Sequence, residues 1–159
     1  MIYCAARSRI SPLKTLTTAS GKIPISLFRK EQLKLARHKQ VHWHTDLSDE
    51  ALRSLYQNAK MLVLPLFDCT ANNALLEALA CGLPIVSNNV GGMQDYTDPS
   101  FAHLLPIEDV EGMTNAINDL LDNPEKCLDR GCKAREFATN NFQWSKVAAQ
   151  TYEVYKKLL

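Results

Sequence analysis

Apolar and polar positions along the chain follow two periods, one typical of buried strands and the other of amphipathic helices. Short apolar runs bounded by turn residues indicate strands that are covered on both faces, as in a parallel sheet. Strands and helices alternate, which predicts an α/β fold with a mainly parallel sheet. The predicted strands are 1–6, 23–28, 41–44, 61–67 and 102–106; the predicted helices are 30–38, 49–60 (capped by Ser48), 74–81, 110–121, one opened by Asn123 and Pro124, and 146–159 (capped by Ser145).

The segment 61–92, MLVLPLFDCTANNALLEALACGLPIVSNNVGG, carries the candidate chemistry. It holds an apolar strand, a polar turn, a short helix and a second apolar strand that is followed by Gly91 and Gly92. Asn72 and Asn73 are suitable N-cap residues for the helix. The helix therefore begins at the carboxyl end of a strand, where open parallel sheets bind ligands and where free N–H groups and the helix dipole favour a phosphate.

Glu77 is the single polar side chain in the helical stretch ALLEALAC. Burying an unpaired carboxylate is costly, so we expect Glu77 to face a crevice or the donor groups of a ligand. It lies one turn after Asn73, and its side chain leans back toward the start of the helix. The alternative is a structural Glu77 that accepts from a neighbouring backbone N–H or pairs with a Lys or Arg.

Composition narrows the function classes. The 159 residues fit one domain, 1–159, and a net charge of +1 with 22% charged residues argues against nucleic acid or an anionic membrane as partner. No apolar run approaches the roughly 18 residues of a membrane span, and MIYCAARSRISPLK does not resemble a secretory signal. Five cysteines without paired-motif spacing suit a reducing compartment, so we expect a cytoplasmic protein.

Other catalytic and metal-binding patterns are weak. The chain lacks a Gly-rich dinucleotide turn after its first strand and a phosphate loop ending in Gly-Lys-Ser/Thr. His42 and His44 would share one face of a strand, but without a third ligand they favour ordinary histidines over a metal site. Cys127 and Cys132 are five residues apart on a predicted helix, so they do not share one face well. This spacing favours packing in the core over a joint chemical role. Cys69 precedes a helix N-terminus but has no histidine near it in sequence, which disfavours a nucleophile. We therefore expect no metal.

From residue 41 to its end, about three-quarters of its length, the chain resembles the carboxy-terminal, donor-binding domain of GT-B glycosyltransferases of family 4, also called glycosyl transferases group 1. The resemblance rests on LSDEALRSLYQNAKMLVLPL, NNALLEALACGLPIVSNNVGG and LLPIEDVEGMTNAINDLLDNPE. It implies a Rossmann-like three-layer domain that corresponds to the carboxy-terminal half of a GT-B fold, incomplete in its amino-terminal part.

The resemblance also implies roles for single residues. Glu77 matches the second Glu of the family's Glu, seven residues, Glu pattern, which holds the ribose hydroxyls of the donor. The first Glu would fall on Cys69, and Asp68, one position away, would substitute for it. In the turn, Thr70 supplies a side-chain donor where the family has Gly-Phe-Gly.

The remaining implied site residues lie on both sides of that turn. Asn72 and Asn73 would present the helix N-terminus to a diphosphate, with plain capping as the alternative, and Gly91 with Gly92 would allow close approach of backbone to the donor. SRISPLK resembles the family's phosphate-binding stretch, which would place Arg9 and Lys14 on the pyrophosphate, with solvated surface as the alternative.

These expectations combine into the donor-binding half of a retaining hexosyltransferase that uses a nucleotide diphosphate sugar, without metal or other cofactor. A separate acceptor-binding domain or chain would complete it, and no catalytic nucleophile is identified. The alternative is a non-catalytic module, from a truncated or decayed glycosyltransferase, that binds a sugar nucleotide or a protein partner. The last helix, 146–159, either completes this core or crosses to an absent domain, and an exposed apolar stripe would favour the second. Peripheral membrane association is left open.

Overall fold

A computed structural model of the chain describes residues 2–3, 15–18, 21–24, 42, 44, 46–70 and 72–158. They belong to two compact units. The larger unit comprises the described residues within 1–6 and 53–159, and the smaller unit comprises those within 7–52. The larger unit contains the candidate site, because it includes the whole segment 61–92.

A parallel sheet of four strands organises the larger unit. The described strands of the chain are β1 (Ile2–Tyr3), β2 (Thr15–Thr18), β3 (Gly21–Pro24), β4 (Met61–Leu64), β5 (Ile85–Asn88) and β6 (Ala102–Leu105). The strand order in this sheet is β1-β4-β5-β6, and Leu62 lies beside Ile85 in the register, as Ile85 lies beside Ala102. The expected α/β architecture with a mainly parallel sheet is confirmed.

Helices follow the strands, as the apolar periodicity predicts. Their bounds are α1 (Asp49–Asn58), α2 (Asn73–Ala80), α3 (Val110–Asp122), α4 (Pro124–Asn141) and α5 (Trp144–Lys156), with a short 3₁₀ helix at Gly91–Asp95. The hydroxyl of Ser48 accepts from the N–H of Ala51, so the predicted cap of α1 is present. Asp109 caps α3 in the same way, accepting from Gly112 N–H at 2.8 Å.

The core lies on both faces of β4 and β5, whose eight residues are all buried. On one face, Met61, Val63 and Val86 pack in a cluster with Leu120 of α3 and Cys127 of α4. Neighbouring residues on the other face, such as Leu62 and Ile85, are also fully buried. Continuous burial explains why these strands are uninterrupted apolar runs.

Helix α4 fixes the position of α2, the helix that carries Glu77. A Cβ on Gly131 of α4 would lie 2.3 Å from the carbonyl oxygen of Gly82, just after α2, so glycine is required for this close approach. An aromatic cluster continues along α4, where Phe137 lies 5.1 Å from Phe101 and 5.7 Å from Phe142 between ring centroids. The helix therefore holds both α2 and the start of β6.

Three predicted elements need correction or lie outside the description. The strand predicted at 41–44 is wrong at His42 and His44, which are exposed and outside any strand, because four alternating residues also suit a solvated loop. Residues 23 and 24 belong to β3, but β3 pairs antiparallel with β2 in a hairpin that the sequence reading did not predict. The rest of 23–28 and the helix predicted at 30–38 lie outside the described residues.

The last helix also begins earlier than predicted. Ser145 is not its cap, because the carbonyl of Gln143, whose backbone is extended, already accepts from the N–H groups of Lys146 and Val147. None of the residues of α5 is buried, and Trp144 is 87% exposed. This exposure favours the second alternative for the last helix, in which its apolar face is not part of this core.

Within the described part of the chain, no helix combines the length with the apolar character needed to span a bilayer.

Candidate functional site

The candidate site lies at the carboxyl ends of β4 and β5, and is called here the carboxyl-edge site: residues 68–70 with 72–73, the glycines 91–92, and Glu77. Two loops meet there. The N–H of Gly92 donates to the carbonyl oxygen of Cys69 at 2.9 Å. A Cβ on Gly91, which has φ +50°, would lie 1.9 Å from the same oxygen. Only glycine permits this approach between the two loops.

Asn88, at the end of β5, anchors these loops. It is 5% exposed, and its side-chain oxygen accepts from the N–H of Leu66 at 2.9 Å while its amide nitrogen donates to the carbonyl of Pro106 at 2.8 Å. One side chain thus joins the chain segments that follow β4, β5 and β6. The hydroxyl of Ser87 donates to the carbonyl of Leu64 at 2.7 Å and adds a second link. Sequence reasoning missed both residues, although a polar pair ending an apolar strand is a recognisable signal.

The start of α2 shows what the two asparagines do. The side-chain oxygen of Asn72 accepts from the N–H of Leu75 at 3.1 Å, so Asn72 is a true N-cap and the capping alternative applies to its oxygen. Asn73 is the first residue of the helix and is exposed, as is Thr70. Both exposed residues lie at the mouth of the site.

Asp68 and Cys69 differ sharply in burial. Cys69 is 8% exposed, and this burial raises the pKa of its thiol, an effect that a hydrogen bond with Asn72 opposes and the charge of Asp68 reinforces. The thiol therefore stays protonated at neutral pH, which argues against a nucleophile. Asp68 is exposed, and its carboxylate accepts from the N–H of Cys69 at 2.8 Å. Asp68 is thus the carboxylate available on this turn.

Glu77 is half-buried on α2 and receives a hydrogen bond from α1. The hydroxyl of Tyr56 donates to its Oε2 at 3.2 Å. Tyr56 is itself 3% exposed. A tyrosine hydroxyl is a partner that sequence reasoning did not name, because no local pattern reveals a contact between residues 21 positions apart. The contact explains in part how a carboxylate is tolerated on a largely apolar helix.

Arg9 and Lys14, the two expected phosphate ligands, lie outside the described residues. Within the described ranges, no group of three His, Cys, Asp or Glu side chains is placed to hold a metal ion. The four cysteines described there, Cys69, Cys81, Cys127 and Cys132, are free thiols.

Comparison with known families decides the assignment. Residues 10–123 match the family model described as glycosyl transferases group 1, more than two-thirds of the chain. The chain belongs to this family. The family that its motifs resemble is therefore confirmed.

The curated relatives of the chain include a mannosyltransferase and a synthase of a sugar phosphate. This group 1 chain is 30% identical, over its full length, to the MMP alpha-(1->4)-mannosyltransferase of Mycolicibacterium hassiacum, of which it covers 39%. It is 29% identical over 97% of its length to the alpha-maltose-1-phosphate synthase of Mycolicibacterium smegmatis, of which it covers 43%. The chain thus spans about two-fifths of the length of these relatives.

Solved structures confirm the fold of this group 1 chain. It matches 36% of the sucrose-phosphate synthase of Thermosynechococcus elongatus with a TM-score of 0.75 and 26% identity over 89% of its own length. It matches 37% of HepE from Anabaena, solved in complex with UDP-glucose, with a TM-score of 0.68 and 17% identity over 84% of its length. The second likeness concerns the fold alone. Both agree with a Rossmann-like α/β domain of the GT-B type.

Proposed function

We propose that this chain is the donor-binding half of a retaining glycosyltransferase that transfers a hexose from a nucleotide diphosphate sugar to an acceptor. One observation carries the proposal: a half-buried carboxylate, Glu77, lies one turn after Asn73, the exposed first residue of α2, at the carboxyl edge of the sheet. The helix terminus suits a diphosphate, and the carboxylate suits the hydroxyls of a ribose. A diphosphate and a ribose are the two features that a ribonucleoside diphosphate sugar offers.

The proposed roles follow the burial of each side chain. Glu77 accepts the ribose hydroxyls, and the N–H groups at the start of α2, with Asn73 and Thr70, bind the diphosphate. Asn72 contributes mainly by capping, because its side-chain oxygen is already bonded to Leu75 N–H. Asp68, exposed on the turn, is available to the donor sugar.

The proposal also includes further groups that bind the donor. Gly91 and Gly92 give the donor a close approach to backbone, and Arg9 with Lys14 neutralises the pyrophosphate as the bond to the sugar breaks. The proposal includes no metal or other cofactor and names no protein nucleophile.

The relatives support the chemistry at the level of their names. One relative is named a mannosyltransferase, and the names of two synthases give maltose-1-phosphate and sucrose phosphate, both built from hexose units, as their products. HepE, which shares the fold, holds UDP-glucose, so the fold is compatible with a nucleotide sugar. Since the chain spans about two-fifths of its relatives, we propose that a separate domain or chain binds the acceptor. Its free thiols agree with a cytoplasmic location.

Calorimetric titration with UDP, GDP and ADP tests the donor site. We expect saturable binding of one nucleotide, and a loss of about 1–3 kcal/mol in Glu77→Gln, because a buried hydrogen bond then loses its charge. Glu153→Gln, on the exposed face of α5, is the matched control and should bind like the unchanged chain. A folded chain that binds none of the three nucleotides would contradict the proposal.

A second candidate function, a binding module without catalysis, is favoured by Cys69. At this position the resemblance expects a carboxylate, and the structure has a buried, protonated thiol. Incubation of the chain with UDP-glucose and GDP-mannose, with water or simple sugars as acceptor, distinguishes the two candidates. Release of nucleoside diphosphate by this chain contradicts the module, which requires tight binding without any release.

A further inference from the structure

Tyr56 has a hydroxyl at the candidate site although its ring belongs to the core. The residue is 3% exposed and lies in the last turn of α1, where its carbonyl accepts from the N–H of Ala59 at 3.0 Å, just before β4. Its hydroxyl reaches across to α2 and donates to Oε2 of Glu77 at 3.2 Å. A ring held this firmly gives its hydroxyl little freedom to move.

A glutamate side chain has several rotatable bonds, and a ligand that binds it must immobilise them at a cost in entropy. The hydrogen bond from Tyr56 restricts Glu77 before any ligand arrives. A carboxylate has two acceptor oxygens with two lone pairs each, so it can accept from Tyr56 and from further donors at the same time. The two vicinal hydroxyls of a ribose are donors of the kind that a carboxylate accepts.

We propose that Tyr56 is a positioning residue, whose hydroxyl fixes the Glu77 carboxylate in the orientation that selects ribose over 2′-deoxyribose. This inference rests on the proposed donor site and adds to it the origin of sugar selectivity within the nucleotide. Tyr56 does not touch the ligand. It acts through Glu77.

Tyr56→Phe is the test, because it keeps the buried ring and removes only the hydroxyl. Dissociation constants are measured by calorimetry for the nucleotide diphosphate that binds and for its 2′-deoxy counterpart. We expect Tyr56→Phe to bind the ribonucleotide about 3- to 10-fold more weakly, the effect of losing one hydrogen bond of ordinary strength. Its affinity for the 2′-deoxy nucleotide should stay close to that of the unchanged chain.

Two controls separate positioning from packing. Tyr152→Phe, at an exposed tyrosine of α5, should leave both dissociation constants unchanged. In Glu77→Gln, adding Tyr56→Phe should cause little further loss, because the two residues then act as one unit. Far-ultraviolet circular dichroism and melting temperature verify that each variant is folded.

The outcomes distinguish this inference from the donor-site proposal. If the unchanged chain prefers ribose through Glu77 and Tyr56→Phe keeps that preference, the positioning role is overturned while the donor site stands. Equal weakening toward both nucleotides in Tyr56→Phe means a packing role only and also overturns it. If the unchanged chain binds no nucleotide, or Glu77→Gln changes neither affinity, both proposals fail.

Discussion

At the scale of single residues, the carboxyl-edge site depends on positions where backbone geometry leaves one choice. Gly91 lies against the carbonyl oxygen of Cys69, and the amide of Asn88 bonds two neighbouring segments at once. Removing either partner of such a buried bond leaves a backbone group unsatisfied, which costs more than the bond itself contributes. The shape of the site is thus set by residues that need not contact a ligand.

Gly91→Ala is expected to destabilise the chain by at least about 2 kcal/mol, because the added Cβ meets a backbone atom and the left-handed conformation is strained for alanine. Urea denaturation followed by circular dichroism measures the change. Gly92→Ala is the matched control, since its Cβ would lie 3.3 Å from the carbonyl oxygen of Thr70 and needs only a small shift. Equal stability of the two variants would contradict the close approach at Gly91.

At the scale of elements, β6 meets α3 and α4 around a histidine. His103 of β6 has a buried Nε2 for which the described residues provide no hydrogen-bond partner. Burial lowers the pKa of His103 most, followed by the charge of Arg130; Asp119 raises it and Lys126 lowers it. Oδ2 of Asp119 lies 2.6 Å from Nζ of Lys126. This ion pair weakens the electrostatic stabilisation that Asp119 gives to a protonated His103. His103 is therefore neutral in the folded chain near pH 7.

This burial makes stability depend on pH. The unfolded chain binds the His103 proton with a pKa near 6.5, and the folded chain binds it less readily. Stability present above about pH 6.5 is therefore lost as the pH falls through that value toward the lower folded pKa. We expect His103→Leu to lose less stability than the unchanged chain between pH 7.5 and 5.5, a range chosen to bracket the ordinary histidine pKa of about 6.5.

The measurement is urea unfolding at several pH values. His42→Gln, at an exposed histidine, is the control and should keep the pH dependence of the unchanged chain. The same slope in His103→Leu as in the unchanged chain would assign the dependence to another group.

At the scale of the whole molecule, the buried core ends before the last helix. The aromatic cluster of Phe101, Phe137 and Phe142 closes the core at the end of α4, whereas α5 contributes no buried side chain. Trp144, Tyr152 and Tyr155 are each more than half exposed. The stability of the unit should therefore be nearly independent of α5.

A chain ending at Gln143 is expected to unfold cooperatively, with a melting temperature within a few degrees of the full chain, since few buried contacts are removed. Differential scanning calorimetry measures it. A chain ending at Glu136 is the contrasting control, because it also loses Phe137, the buried Ala138 and Phe142. Loss of a cooperative transition in the chain that ends at Gln143 would show that α5 is required for the core.

The sequence by itself determined the class of fold and the place of the candidate site. The continuous apolar runs of β4 and β5 indicate strands covered on both faces, and the Asn72 cap with the lone Glu77 marks the helix at the strand's carboxyl edge. These signals are local, because burial and capping impose residue types at fixed spacing along one segment. The family motifs are local in the same sense, and the comparisons confirm them.

Tertiary structure alone decided the contacts between distant segments. The hydroxyl of Tyr56 on Glu77, the Asn88 amide between two loops, and the Gly91 contact with Cys69 each join residues about 20 positions apart. The apolar and polar pattern also did not predict the hairpin of β2 and β3 or the exposure of His42 and His44. Short alternating stretches suit a strand or a loop equally well. Spacing along a chain specifies which face a side chain occupies, but only packing specifies what lies opposite that face.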